Sequence, residues 1–150
     1  QKIPEKMATC WTRNSELNRE ILVLLDTSAL MAIFETGVDL VSAAKDLLPG
    51  RIRFVVVEGT LVELKRLVKC KSTSVSRAAK AAMKFAEGLE VINCQGKRGD
   101  AAIMEVAKKE RAIVATTDKE LRERLRDLGI PVIFPRKDKR AEIEGFHYLL

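Results

Sequence analysis

Histidine is all but missing from this chain of 150 residues: His147, close to its end, stands alone. Read as a packed or surface residue of the tail, it leaves no Ser–His or Cys–His relay to assemble. The patterns HExxH, GxxxxGK(S/T) and GxGxxG are absent as well, which removes the zinc-peptidase, P-loop and dinucleotide classes. Cysteine is scarce. Cys10, Cys70 and Cys94 are odd in number, far apart and free of any CxxC pair, against both a zinc ribbon and a secreted disulfide framework. A reducing, cytoplasmic setting is the expectation. No apolar run approaches the ~20 residues of a membrane span, and residues 1–20 hold no apolar block of a signal peptide. Those residues mix charges, Ser, Asn, Pro and one Trp without periodicity, and are read as an N-terminal extension outside a single domain at 21–150.

Acids are absent from residues 64–86, where Lys65, Arg66, Lys69, Lys71, Arg77, Lys80 and Lys84 supply seven positive charges, within a chain of net charge +6. Such a stretch suits a polyanion, although a solvated helix face has the same composition. Aromatic residues make up only 5% of the chain, so phosphate contacts through Lys and Arg are expected ahead of base stacking. Lys65, Lys69, Arg77 and Lys80 are the candidate contacts. The wealth of Lys, Arg and Glu beside little Gln fits a heat-adapted source.

Residues 21–25, Ile-Leu-Val-Leu-Leu, form a continuous apolar run of the kind found in a strand covered on both faces. Further strands are expected at 54–57, 89–92, 112–115 and 132–134, with helices between them, one of them Ala-rich over 77–87 after a break at 72–76. Strand alternating with helix predicts an α/β domain with a parallel sheet and right-handed crossovers.

Four acids recur in one structural position. Asp26, Glu63, Asp100 and Asp118 each follow a strand-like segment at the start of a helix-like one. In a parallel sheet all such junctions lie on one edge, so the four are expected to converge. Taken singly, each has a plain explanation as a helix cap: Thr60 to Glu63 and Thr117 to Glu120 match the capping box, and Asp26 and Asp100 suit an N-cap. Capping does not demand an acid every time, since Ser, Thr or Asn would serve without mutual repulsion. Two like charges ~4 Å apart at an effective dielectric near ~20 repel by about 4 kcal/mol. Proton uptake or a divalent cation must offset that. An all-oxygen pocket suits Mg²⁺ or Mn²⁺, and metal-assisted hydrolysis is the chemistry left standing.

The strings LLDTSALM, TLVELKRL, GDAAIMEVA and ATTDKELRERLRDLGIPVIF closely resemble the PIN-domain nucleases, over about residues 21–135. The order and spacing of the acids agree with that family's quartet. The run LRERL, then GIPVI and the basic Arg136-Lys137, resembles the archaeal branch related to endonucleases of small-subunit rRNA processing; the short length is also that of toxins from toxin–antitoxin pairs. The resemblance implies a three-layer domain whose five parallel strands run in the order 3-2-1-4-5. It implies one or two Mg²⁺ or Mn²⁺ ions, with Asp26, Asp100 and Asp118 as ligands and Glu63 completing the site or orienting water. Ser28 and Thr116 match positions where a hydroxyl assists, and a local turn bond accounts for either as well. RNA is the implied substrate, with an antitoxin or a ribosome-assembly factor as partner. The apolar residues 146–150 suit packing on the domain itself or on a second copy. A receiver domain would need paired acids after the first strand and a dehalogenase-type phosphatase Asp-x-Asp, and neither is present. A PIN fold binding RNA as a scaffold, with acids that only cap, is the remaining alternative.

Overall fold

The computed structural model of the protein describes residues 20–94 and 96–146. Residues 1–19 of the expected extension and 147–150 of the apolar end that suggested a homodimer lie outside them; Glu20, expected in the extension, opens the first strand, and Phe146 packs against the core of the domain itself. The elements are β1 (Glu20–Leu25), α1 (Thr27–Glu35), α2 (Leu40–Leu47), β2 (Arg51–Val57), α3 (Glu58–Val68), α4 (Thr73–Ala86), β3 (Glu90–Ile92), α5 (Gly99–Glu110), β4 (Ile113–Ala115), α6 (Lys119–Asp127), β5 (Val132–Pro135) and β6 (Ala141–Glu144). The sheet order is β3-β2-β1-β4-β5-β6.

β1 lies in the middle, parallel to β2 and β4, and Val23, Leu24 and Leu25 are wholly buried. Alternation along the strand sends these side chains to opposite faces. Val23 and Leu25 join the core made with α1, α2, α3 and α4, through Leu30, Leu40, Leu64 and Ala79. Leu24 joins the core of α5 and α6 on the other face, through Ile103, Val106, Leu121 and Leu125. Three layers result. The buried face of α4 is Ala78, Ala79, Ala82 and Ala86, and side chains that small let the helix lie close against its neighbours. No single helix among the described residues is long and apolar enough to cross a membrane.

Five parallel strands in the order 3-2-1-4-5 are present as expected, and a sixth, β6, extends the sheet antiparallel to β5. Its sequence, Ala-Glu-Ile-Glu, is half polar because it forms an edge, which hid it from a search for apolar runs. β2 begins at Arg51, three residues ahead of the apolar run, where Arg53 bridges Glu20 at 3.1 Å and Glu90 at 2.7 Å across the strands. The supposed break at 72–76 is the start of α4: Ser72 is its N-cap and accepts a bond from the Val75 N–H.

Because β1 to β5 are parallel, their C-terminal ends share an edge, and the chain order reverses there between β1 and β4. A crevice opens at such a reversal.

Candidate active site

Asp26 leaves the end of β1 and is 7% exposed. Its Oδ1 accepts from the Ala29 N–H and the Ser28 hydroxyl, both at 2.8 Å, and its Oδ2 accepts from the Thr116 hydroxyl at 2.6 Å. It is therefore a helix cap and something more. Thr116 follows β4, and its Oγ1 accepts in turn from the Asp118 N–H at 3.0 Å, while Ser28 Oγ accepts from the Thr117 N–H at 3.0 Å. Both hydroxyls are placed to donate to Asp26 and approach each other at 3.1 Å, so the network is built around a carboxylate. Burial nonetheless pushes the Asp26 carboxyl up from 3.8 to about 6; the bonds from Thr116, Ala29 and Ser28 oppose that rise and the charge of Asp118 adds to it. A carboxylate has about four acceptor positions. Among the described residues three are used, and one on Oδ2 has no donor.

The other three acids reach the same cleft, of about 360 Å³, lined among others by Asp26, Ser28, Glu63, Asp100 and Asp118. Asp118 caps α6 by accepting from the Leu121 N–H at 3.1 Å. Asp100 does not cap. α5 begins one residue earlier, Arg98 is its N-cap without a side-chain bond, and the Asp100 carboxylate faces Arg124 Nη1 of α6 at 3.4 Å. Burial raises the Asp100 carboxyl, Asp118 raises it further, Arg124 lowers it, and Glu120 and Glu63 add smaller increases. Glu63 does not cap either. α3 begins at Glu58, continuing straight from β2, which puts Thr60 inside the first turn and Glu63 in mid-helix, so no capping box forms there. Glu63 accepts instead from the Thr27 hydroxyl at 2.8 Å and lies 3.7 Å from Arg66. The box expected at Thr117 is shifted as well, because Asp118 is the cap.

The four acids share a cleft but do not meet at one point: among the described residues no three His, Cys, Asp or Glu side chains are gathered as a ready-made metal centre. The donor set still fits a small hard cation. It is all oxygen, it includes a buried carboxylate with an open acceptor position, and Mg²⁺ characteristically takes one or two carboxylates and keeps its waters.

Of the expected basic contacts, Arg77 and Lys80 line a small pocket of about 250 Å³ with Lys71, Thr73 and Ser76 at the start of α4. Val75, one residue before Ser76, lines the acidic cleft, so pocket and cleft are neighbours along α4. Lys65, on α3, and Lys69, its C-cap, are exposed and line neither. Sequence reasoning missed Thr27 and Arg124. The first has a signal, a hydroxyl directly after Asp26; the second has none, because the Arg124 partner lies on another helix.

A family model described as a PIN-like domain matches residues 23–138. With the sheet order and the placement of its acids in view, the chain belongs to the PIN-like domain family. Ribonuclease VapC9 of Archaeoglobus fulgidus is similar at 31% identity over 127 residues, 85% of this chain and 92% of that protein. Ribonuclease VapC4 of Methanocaldococcus jannaschii is 29% identical over 126 residues, covering 82% and 96%. Among solved structures, the PIN domain endonuclease Utp24 matches with a TM-score of 0.65 at 22% identity, over 83% of this chain and 92% of that one. VapBC-1 from nontypeable Haemophilus influenzae matches with a TM-score of 0.53 at 16% identity, over 71% and 94%. These last two likenesses bear on the fold alone.

Proposed function

We propose that this protein is a divalent-metal-dependent endoribonuclease, acting as the ribonuclease of a toxin–antitoxin pair. The observation that carries the reading is Asp26: a buried carboxylate held by three donors, lining one cleft with three more acids. A purely structural cap has no need of that surrounding charge. The relatives named as ribonucleases favour RNA as substrate and the toxin role over rRNA maturation. The antitoxin is the corresponding partner.

Asp26, with Asp100 and Asp118, would hold one or two Mg²⁺ or Mn²⁺ ions, and Glu63 would complete the set or orient water. A bound ion would supply a water of lowered pKa and stabilise charge on the phosphate. The chain's own part is positional. Thr116 and Ser28 fix the Asp26 carboxylate in one orientation, Thr27 fixes Glu63, and Arg77, Lys80 and Lys71 offer cations for backbone phosphates beside the cleft.

The test is cleavage of labelled single-stranded RNA by a nuclease-free preparation, with and without Mn²⁺, for wild type and Asp26→Asn. Mn²⁺-dependent cleavage lost in the variant supports the reading. RNA that is bound but never cut by the wild type would leave the scaffold role. For the cellular role, induced expression should arrest growth, and Asp26→Asn should relieve the arrest.

A further inference from the structure

A second cavity adjoins the acids on the side away from α4. It measures about 660 Å³ and lies between the start of α6 and the β5–β6 turn, lined by Thr116, Asp118, Lys119, Arg122, Phe134 and Lys137, among others. Asp118 lines both this cavity and the acidic cleft, so the two spaces adjoin at a proposed metal ligand.

Its charge is not balanced from within. Arg136 is paired with Glu142 at 3.3 Å, and Asp138 with Arg140 at 3.4 Å. Lys119 and Lys137 pair with no acid among the described residues. Arg122 has its guanidinium carbon 4.0 Å from the centre of the Phe134 ring and over it, a cation–π contact that anchors the group without neutralising it. A guanidinium fixed in this way keeps its N–H edge for a bidentate phosphate contact and its outer face for a base.

The other cavities lack this combination. The space beyond Glu63 contains Arg66 and Lys97, paired with Glu63 and Glu105, and Arg98, which pairs with no acid among the described residues but has no aromatic ring in the lining to stack on. A further cavity, of about 420 Å³, lies at the opposite sheet edge around Ile21, Ile113 and Pro131 and touches none of the four acids.

We infer that the cavity between α6 and the β5–β6 turn is a second RNA subsite, taking the ribose-phosphate backbone on the side of the cleft opposite the α4 pocket. This rests on the ribonuclease reading above. A strand would then cross the acids with cations on either side of the bond to be cut. Lys119 and Lys137 contact phosphates, and Arg122 on Phe134 receives a phosphate edge or a base face.

The test measures binding of a fluorescently labelled single-stranded RNA, long enough to reach both basic pockets, by anisotropy over a salt series in the presence of chelator. The full chain is compared with Lys119→Gln/Lys137→Gln, both exposed positions, and with the control Lys108→Gln/Lys109→Gln on α5. Loss of two phosphate contacts should weaken binding and lower the slope of log K against log salt by about 1.4, at about 0.7 per contact on single strands. The control should follow wild type. Wild-type affinity and slope in the Lys119/Lys137 variant would overturn the inference, as a cavity suited to an acidic protein segment would behave, and leave the ribonuclease reading standing. A wild-type protein with no salt-dependent RNA binding would sink both.

Discussion

Thr116 gives its only hydroxyl proton to Oδ2 of Asp26 at 2.6 Å, joining residues 90 positions apart where β4 and β1 end side by side. Removing that donor separates the role of the carboxylate from the role of the fold. Thr116→Val keeps the shape of the side chain, takes away one of three bonds to the charged form and also leaves the Asp118 N–H without its acceptor, which Thr116→Ser retains. Hydrogen bonds to charged groups contribute about 1.5–3 kcal/mol, so the Asp26 carboxyl should climb by about one to two pH units. The acid limb of the pH–rate profile for RNA cleavage should move up with it. Thr116→Ser should restore the wild-type profile, and an unmoved limb in the valine variant would mean that Asp26 ionisation does not control the rate.

Burial of Asp26 has a consequence for stability. Its folded-state value, about 6, lies above the ordinary 3.8, so the native state binds the extra proton between those two pH values. Stability from this group is fully present below about 3.8, falls as pH rises, and is fully lost above about 6. The difference corresponds to about 3 kcal/mol at 1.36 kcal/mol per pH unit. In thermal melts without added metal, Asp26→Asn should gain on wild type from about pH 4 to about pH 6, the window those values set, and hold a constant advantage above it. Parallel pH curves for the two proteins would contradict the burial argument.

Arg124 sits 3.4 Å from Asp100 and lowers its carboxyl against burial and the neighbouring acids. It competes there with any bound cation. Arg124→Gln should therefore raise Mn²⁺ affinity in calorimetric titration, by up to about fivefold since pairs this exposed contribute no more than about 1 kcal/mol. The gain should shrink in high salt. Weaker Mn²⁺ uptake in the variant would show that Arg124 supports the site instead.

The basic stretch of α3 and α4 divides by position. Arg77→Gln/Lys80→Gln, in the pocket beside the cleft, should lower the salt slope of RNA binding by about 1.4. Lys65→Gln/Lys69→Gln should change it little. Equal losses in both pairs would mean that the RNA path runs along the length of α3.

Much of this architecture is legible from residue order. The run at 21–25, the cap at Asp26 and the apolar segments 54–57 and 132–134 place the sheet and its acid-bearing edge without coordinates. β6 stayed hidden because an edge strand buries little and shows no apolar run. Ser72 to Ser76 was mistaken for a break because the same residue types cap helices and make turns. For Glu63 and Asp100 the local pattern pointed to capping, and the position of each helix start decides otherwise: α3 begins without a loop after β2, and α5 begins at Gly99. No local pattern carries the Asp100–Arg124 pair, since its members meet only through the packing of α5 against α6.

The reversed β6 hangs its connecting turn, residues 136–140, over the same rim as the catalytic candidates while contributing little to either core. Evolution can lengthen, shorten or recharge that turn at small cost to folding. Under the RNA-subsite proposal, the hairpin is thus a margin where strand preference can change while the acid-bearing strands stay as they are.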